Sequence, residues 1–311
     1  MNPEIKACPL CAGPVRRYHA IGLEPMDWVI LIYFALTGLL LIPFHNDVPR
    51  WPLYPAGHFL IVVLLLELIR WNQRKDLAVL RAVRTFYPLL FVSLGWKELD
   101  NLITMIFPYW ANEWVIKLDL LIFGQHPTVW VQSLFRPWLT ELMNFFYASF
   151  WLFIPLGAFS LYFKGKRKET FDFLFFTVLA YAVSFFMFLL FPSEGAWVIL
   201  KDKHTVDPDG GFFLSLNQWV QSKGTIRGGA IPSSHVTAAF TMTWACFYQR
   251  RRLGWLFLFL SVGTALATVY CRYHHAVDPI AGILCGTVLF FIGKGILGRR
   301  NRRRPGTETE N

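Results

Sequence analysis

The stretch FDFLFFTVLAYAVSFFMFLLF, Phe171 to Phe191, holds one charged side chain, Asp172, beside its start. A run of about 20 apolar residues, coiled as an α-helix, matches the hydrocarbon thickness of a bilayer. Seven more such runs follow the same reading, roughly at 27–44, 56–70, 86–107, 139–163, 231–248, 254–270 and 278–297. The 311-residue chain is 55% hydrophobic and only 16% charged, where soluble domains carry about 25% charged residues. The expected fold class is therefore all-α: a polytopic membrane helical bundle with about eight transmembrane spans. Its parts are a cytoplasmic N-terminal tail (1–26), a membrane catalytic domain (27–298) and a basic cytoplasmic tail (299–311). No internal repeat is visible, and the first twenty residues lack the apolar centre of a cleavable signal.

A net charge of +10 raises the question of nucleic acid, and its distribution answers it. Lys and Arg collect in alternate connections: Lys6, Arg16 and Arg17, then 70–84, KGKRK at 164–168, RRR at 250–252, and the C-terminal tail. Those five segments, with Lys294 just before the tail, hold 21 of the 30 basic residues, which is the positive-inside pattern of an eight-span chain with both termini cytoplasmic. The basic tail suits anionic lipid headgroups better than nucleic acid. The expected location is integral to a bacterial inner or plasma membrane. Segments 192–230 and 272–277 then lie on the outer face.

Both outer segments lead into polar helix starts. In RGGAIPSSHVTAAF, Arg227–Phe240, a proline and two serines precede an apolar helix, and one serine is expected as its N-cap. Free N–H groups and hydroxyls at a helix N-terminus also bind phosphate. In TVYCRYHHAVDPIAGILCG, Thr268–Gly286, the residues Arg272, His274, His275 and Asp278 crowd a junction between two apolar runs. Ionisable groups at membrane depth are costly and mark function. Asp278 before Pro279 reads as a helix cap, and His275 as a headgroup-level ring. His274, four residues before Asp278, is placed for the carboxylate to hold one ring nitrogen protonated and leave the other lone pair free to attack phosphorus. His235 is then the acid for the departing oxygen, and in its neutral form the base for an incoming hydroxyl. Ser233, Ser234 and Arg272 would hold the equatorial oxygens. A covalent histidine route requires no metal or other cofactor.

These residues resemble the type 2 phosphatidic acid phosphatase superfamily. IPSSH followed about forty residues later by H-x-x-x-D is similar to that superfamily's second and third motifs, over Ala230–Gly282. The resemblance implies a six-helix catalytic core, a phosphohistidine on His274, orientation by Asp278 and protonation by His235, with Ser233 and Ser234 on the phosphate. The chain departs from the pattern in two places. Thr268 stands where the third motif has arginine, with Arg272 two positions before the nucleophile. FPSEGAWVILKDK replaces the first motif, leaving Lys201 as the nearest cation there, and Arg227 as a further phosphate-binding candidate. These departures, with DLLIFGQHPTVW in the outer loop, look more like the inositol phosphorylceramide synthase branch. The implied partners are a membrane lipid with a phosphorylated headgroup and a polyol acceptor. Within the enzyme reading, water or an alcohol discharges the intermediate. The alternatives are an anion or proton-coupled transporter and a headgroup-binding scaffold.

Other features are open between two readings. Lys97, Glu98 and Asp100 interrupt the third run, either as a buried ion pair or as lining of a headgroup pocket. Glu194 is similarly poised. Trp110, Trp114 and Trp130, and the segment 211–221, suit interfacial helices that guide a lipid or simply anchor the fold. DPDGG at 207–211 reads as a turn. Cys8 and Cys11 read as reduced thiols or half of a zinc knuckle with His19, while Cys246, Cys271 and Cys285 read as packing residues.

Overall fold

The computed structural model describes residues 22–75 and 77–303. The signals of the tails, including Lys6, Arg16, Arg17, Cys8, Cys11, His19 and the end of the basic tail, lie outside the described residues. The elements, in order, are α1 (Pro25–Leu41), α2 (Leu53–Arg74), α3 (Ala78–Phe86), α4 (Pro88–Leu102), α5 (Asn112–Phe123), α6 (Pro137–Ile154), α7 (Arg167–Leu190), α8 (Phe212–Gly224), α9 (Ser234–Gln249), α10 (Arg251–Tyr270) and α11 (Val277–Arg303).

Among the described residues six helices are long and apolar enough to cross a bilayer, and Pro25–Leu41 is a shorter apolar seventh. The chain is an integral membrane protein. Large apolar side chains face outward along these helices, with Phe59 72% and Phe291 65% exposed, an arrangement that water would penalise and lipid would not. The expected span at 231–248 is realised as the 16-residue α9, because Ala230 to Ser233 are spent as an extended lead-in. At 1.5 Å per residue it is about 24 Å long, less than a hydrocarbon core, and Ser233 and Ser234 at its start are buried. Two long spans are interrupted. Pro88 separates α3 from α4, and Pro155, which has no N–H to donate, sits at a π-helical turn that continues α6 to Tyr162.

Helices α4, α6, α7, α9, α10 and α11 pack into the unit that carries the site, with α7 and α9 at its centre. Lipid supplies no hydrophobic drive between helices, so close backbone approach and interhelical hydrogen bonds hold them. Gly286 on α11 is the clearest instance: a Cβ there would stand 2.5 Å from the Thr237 carbonyl oxygen of α9. Thr241 donates across the same seam to the Gly286 carbonyl at 3.1 Å. Thr243 and Ser261 join α9 to α10 at 2.8 Å, and Thr264 of α10 donates to the Phe146 carbonyl of α6 at 3.0 Å. Around these contacts, Phe150, Phe153, Phe173, Phe185 and Phe257 fill a fully buried aromatic core.

Candidate active site

The two polar helix starts meet at one end of the bundle. The Ser233 N–H donates to the Asp278 carbonyl at 3.1 Å, so the lead-in of α9 is stitched directly to the first turn of α11. Ser233 is the N-cap residue of α9, yet its side chain makes no cap bond. Its hydroxyl lies 3.1 Å from His274 Nε2 instead. On the far side of that ring, Nδ1 is 3.2 Å from Asp278 Oδ2. A carboxylate only accepts, so the bond to Asp278 places the proton on Nδ1 and leaves a lone pair on Nε2. Asp278 and Ser233 are fully buried and His274 nearly so, which fixes the line Asp278–His274–Ser233 in a water-poor setting.

That line opens into a cavity of about 320 Å³, into which Ser234, His235 and His274 all face. His235 stands in the first turn of α9 against aromatic rings, 4.8 Å between centroids from Phe150 and 5.4 Å from Tyr147. The remaining wall is mostly aromatic and aliphatic: Trp96 on α4, Trp151 on α6, Tyr181 on α7, Trp197 and Tyr273 in the loops, and Val220 on α8. Burial raises the Tyr273 hydroxyl above its ordinary value, so it stays a phenol. Arg227 also lines the cavity. Its Nε donates to Glu194, which is itself held by Asn112 at 2.8 Å, and its guanidinium lies 5.1 Å from the centre of the Trp110 ring.

Ser233, Ser234, His235, His274, Asp278 and Arg227 are thus brought together, and two other candidates are not. Arg272, in the left-handed region at φ 65°, turns away from the cavity. It donates to Gln132 Oε1 at 3.0 Å and to the Val206 carbonyl, and stacks over Phe135. Lys201 sits in an exposed 3-10 turn and takes no part in the cavity wall. Neither residue lines the cavity: the Arg272 guanidinium is bonded to Gln132 and the Val206 carbonyl, and Lys201 is exposed.

Asp119 is the residue that sequence reasoning missed. From α5 it accepts the backbone N–H of Val277 at 3.0 Å and of Ala276 at 3.3 Å, and its Oδ2 is 3.4 Å from His275 Nδ1. Asp119, rather than Asp278, therefore caps the start of α11, while Asp278 accepts the His275 N–H at 2.9 Å and the His274 ring. His275 is buried against Asp119, not a ring at the headgroup level. The only sequence signal for this was an acid four residues from the end of an interfacial helix.

The remaining polar features separate cleanly. Glu98 pairs with His58 at 2.6 Å inside the bundle, whereas Lys97 lines the cavity and pairs with Asp100 at 3.2 Å. The end of the 207–211 turn donates the Gly211 N–H to Glu141 at 2.7 Å, and Glu141 also accepts from Phe213 and Leu214, capping α8. Behind the catalytic turn, burial and then the Arg272 charge push His204 down to about 4. His126 is lowered by burial, Lys203 and His275, against the opposing pull of Asp119. Among the described residues no group of three or more His, Cys, Asp or Glu is arranged to hold a metal ion.

The family model described as the PAP2 superfamily matches residues 113–292. The chain belongs to this superfamily. Comparison with curated proteins and with solved structures finds no match in either. Every catalytic candidate falls inside the PAP2 match, and membership supports phosphatase-type chemistry on a lipid phosphate in general terms. Helices α1 to α4 lie outside the matched residues, and with them Trp96 and Lys97 of the cavity wall.

Proposed function

We propose that this protein hydrolyses or transfers the phosphorylated headgroup of a membrane lipid at the outer face of the membrane, through a phosphohistidine on His274. The carrying observation is the buried line Asp278–His274–Ser233 at 3.2 and 3.1 Å, opening beside His235 into a single cavity. Nδ1–H bonded to Asp278 leaves Nε2 as the nucleophile, and the carboxylate stabilises the positive charge that the ring gains on attack. The Ser233 hydroxyl, now on Nε2, is adjacent to where a phosphoryl oxygen must arrive, and the free N–H groups of the first α9 turn point to the same place. His235 delivers a proton to the departing lipid oxygen, so the P–O bond breaks as the P–N bond forms. The neutral imidazole then takes the proton of the incoming hydroxyl as the P–N bond breaks.

The choice between water and an alcohol depends on how well the cavity excludes water. Its tryptophan and tyrosine walls support transfer, as does the likeness to the inositol phosphorylceramide synthase branch. A loop-side Arg272 leaves Arg227 and Lys97 as the cations in the cavity wall.

The test is turnover by the purified full chain on a panel of radiolabelled lipids, including phosphatidic acid and phosphatidylinositol, with and without polyol. Wild type should release free phosphate or a new headgroup ester. His274→Ala should abolish both, and Asp278→Asn should lower kcat about 10²- to 10⁴-fold by freeing the wrong tautomer. Normal turnover by His274→Ala on every lipid that wild type uses contradicts the reading.

A further inference from the structure

One set of groups in the cavity is left unused by this chemistry. The Thr225 hydroxyl donates to Gln221 Oε1, and Gln221 Nε2 donates to the Tyr147 oxygen at 3.0 Å. All three residues line the same cavity as His235 and His274. The chain of bonds has a direction. Gln221 spends its carbonyl on Thr225 and an N–H on Tyr147, so Tyr147 acts as acceptor there and its own O–H proton remains to be donated. Tyr147 is only 3% exposed and lines the cavity, so a ligand in the cavity, rather than bulk solvent, is the acceptor within its reach. Its ring is held between His235, at 5.4 Å, and Tyr273, at 4.5 Å, which fixes the hydroxyl beside the proton-transfer residue. A buried hydroxyl donor without an acceptor is costly, and a substrate oxygen placed there removes the cost.

We propose that Tyr147, positioned by Gln221, forms a subsite for a hydroxyl on the carbon adjacent to the one that bears the reacting oxygen, so that the enzyme selects acceptors bearing vicinal hydroxyls. The inference rests on the assignment of His235 and His274 above. The reacting oxygen sits at His235, where it exchanges its proton. Its neighbour accepts from Tyr147 one carbon away, while Gln221 keeps the phenol from turning back into the protein. The hydroxyls belong to the incoming acceptor, because the oxygen that leaves at His235 in the first step is the lipid's own.

The full chain in detergent, given dioctanoyl phosphatidic acid as donor, is offered glycerol or 1-propanol, and the two phosphate esters are compared. Wild type should favour the diol about tenfold, the worth of one well-placed hydrogen bond. Tyr147→Phe and Gln221→Met should bring that ratio close to one. Ser222→Ala, on the exposed face of α8, should keep it. A ratio taken within one preparation is unaffected by a lower folded fraction. A wild-type ratio near one, release of free phosphate with neither ester formed, or a ratio unchanged in both cavity variants overturns the inference. Wild type that carries no acid-labile phosphate instead overturns the assignment of His274, and this subsite falls with it.

Discussion

At the residue scale the site is a question of which group holds which proton. The four-residue spacing of His274 and Asp278 was legible because an i, i+4 pair shares a helix face. The real geometry differs in its means, since His274 precedes α11 and a turn brings the two together at 3.2 Å. Arg272 shows why charge in a motif is not enough. Its left-handed backbone sends the side chain toward Gln132 and Val206, 140 and 66 residues away, partners that no local pattern encodes. If His235 is the acid, His235→Ala should slow phosphohistidine formation about 10²- to 10⁴-fold from alkyl esters and far less from a nitrophenyl ester, whose leaving group needs no proton. Equal losses on both contradict that role. His204 gives a separate expectation. Its folded value near 4 lies below the ordinary 6.5, so the fold prefers the neutral ring. The stability it contributes is complete above about pH 6.5 and is lost as pH falls toward 4. The unfolding temperature in detergent should drop across that window, and His204→Gln should flatten the drop. An identical pH dependence in the variant contradicts it.

At the element scale, α9 and α11 carry the two halves of the site, and the seam between them sets the distance from Ser233 to His274. The apolar runs were readable from hydropathy, but the seam was not, because a glycine inside an apolar run has no distinctive pattern. Gly286 meets the Thr237 carbonyl, whereas a Cβ at Gly298 on the same helix would meet nothing within 4 Å. Gly286→Ala should therefore cost about 1–3 kcal/mol by overpacking and lower activity, while Gly298→Ala should be neutral or stabilising by a few tenths of a kcal/mol. Thermal unfolding of the two proteins side by side checks this, and equal effects refute it. Asp119 belongs to the same scale, since it ties α5 to the start of α11 across 158 positions. Asp119→Ala strands two backbone N–H groups and His275, for a loss of about 3 kcal/mol. Asp119→Asn keeps one acceptor oxygen and should lose less; a ranking in the other order contradicts the capping role.

At the scale of the whole molecule, the starts of α6, α9 and α11 and the ends of α7 and α10 share one end of the bundle, and the basic connections at 164–168 and 250–252 share the other. That segregation was the most legible feature of all, because charge bias and span length both act over tens of residues. Helices α1 to α4 were legible as apolar runs, but nothing in them announced that Trp96 would reach the cavity and donate to the Gly224 carbonyl at 2.7 Å. A cysteine at the exposed Asp209 should react with an impermeant maleimide on intact cells, and one at the exposed Lys164 only after permeabilisation. The reverse pattern would place the site on the inner face. The most direct measurement is the phosphorus itself. Wild-type protein quenched in alkali during turnover of a ³²P-labelled phosphatidic acid should yield one acid-labile phosphopeptide, and fragmentation should place the phosphate on the imidazole of His274. A phosphate found on Ser233, Ser234 or His235 instead, or no adduct while product accumulates, contradicts nucleophilic attack by His274.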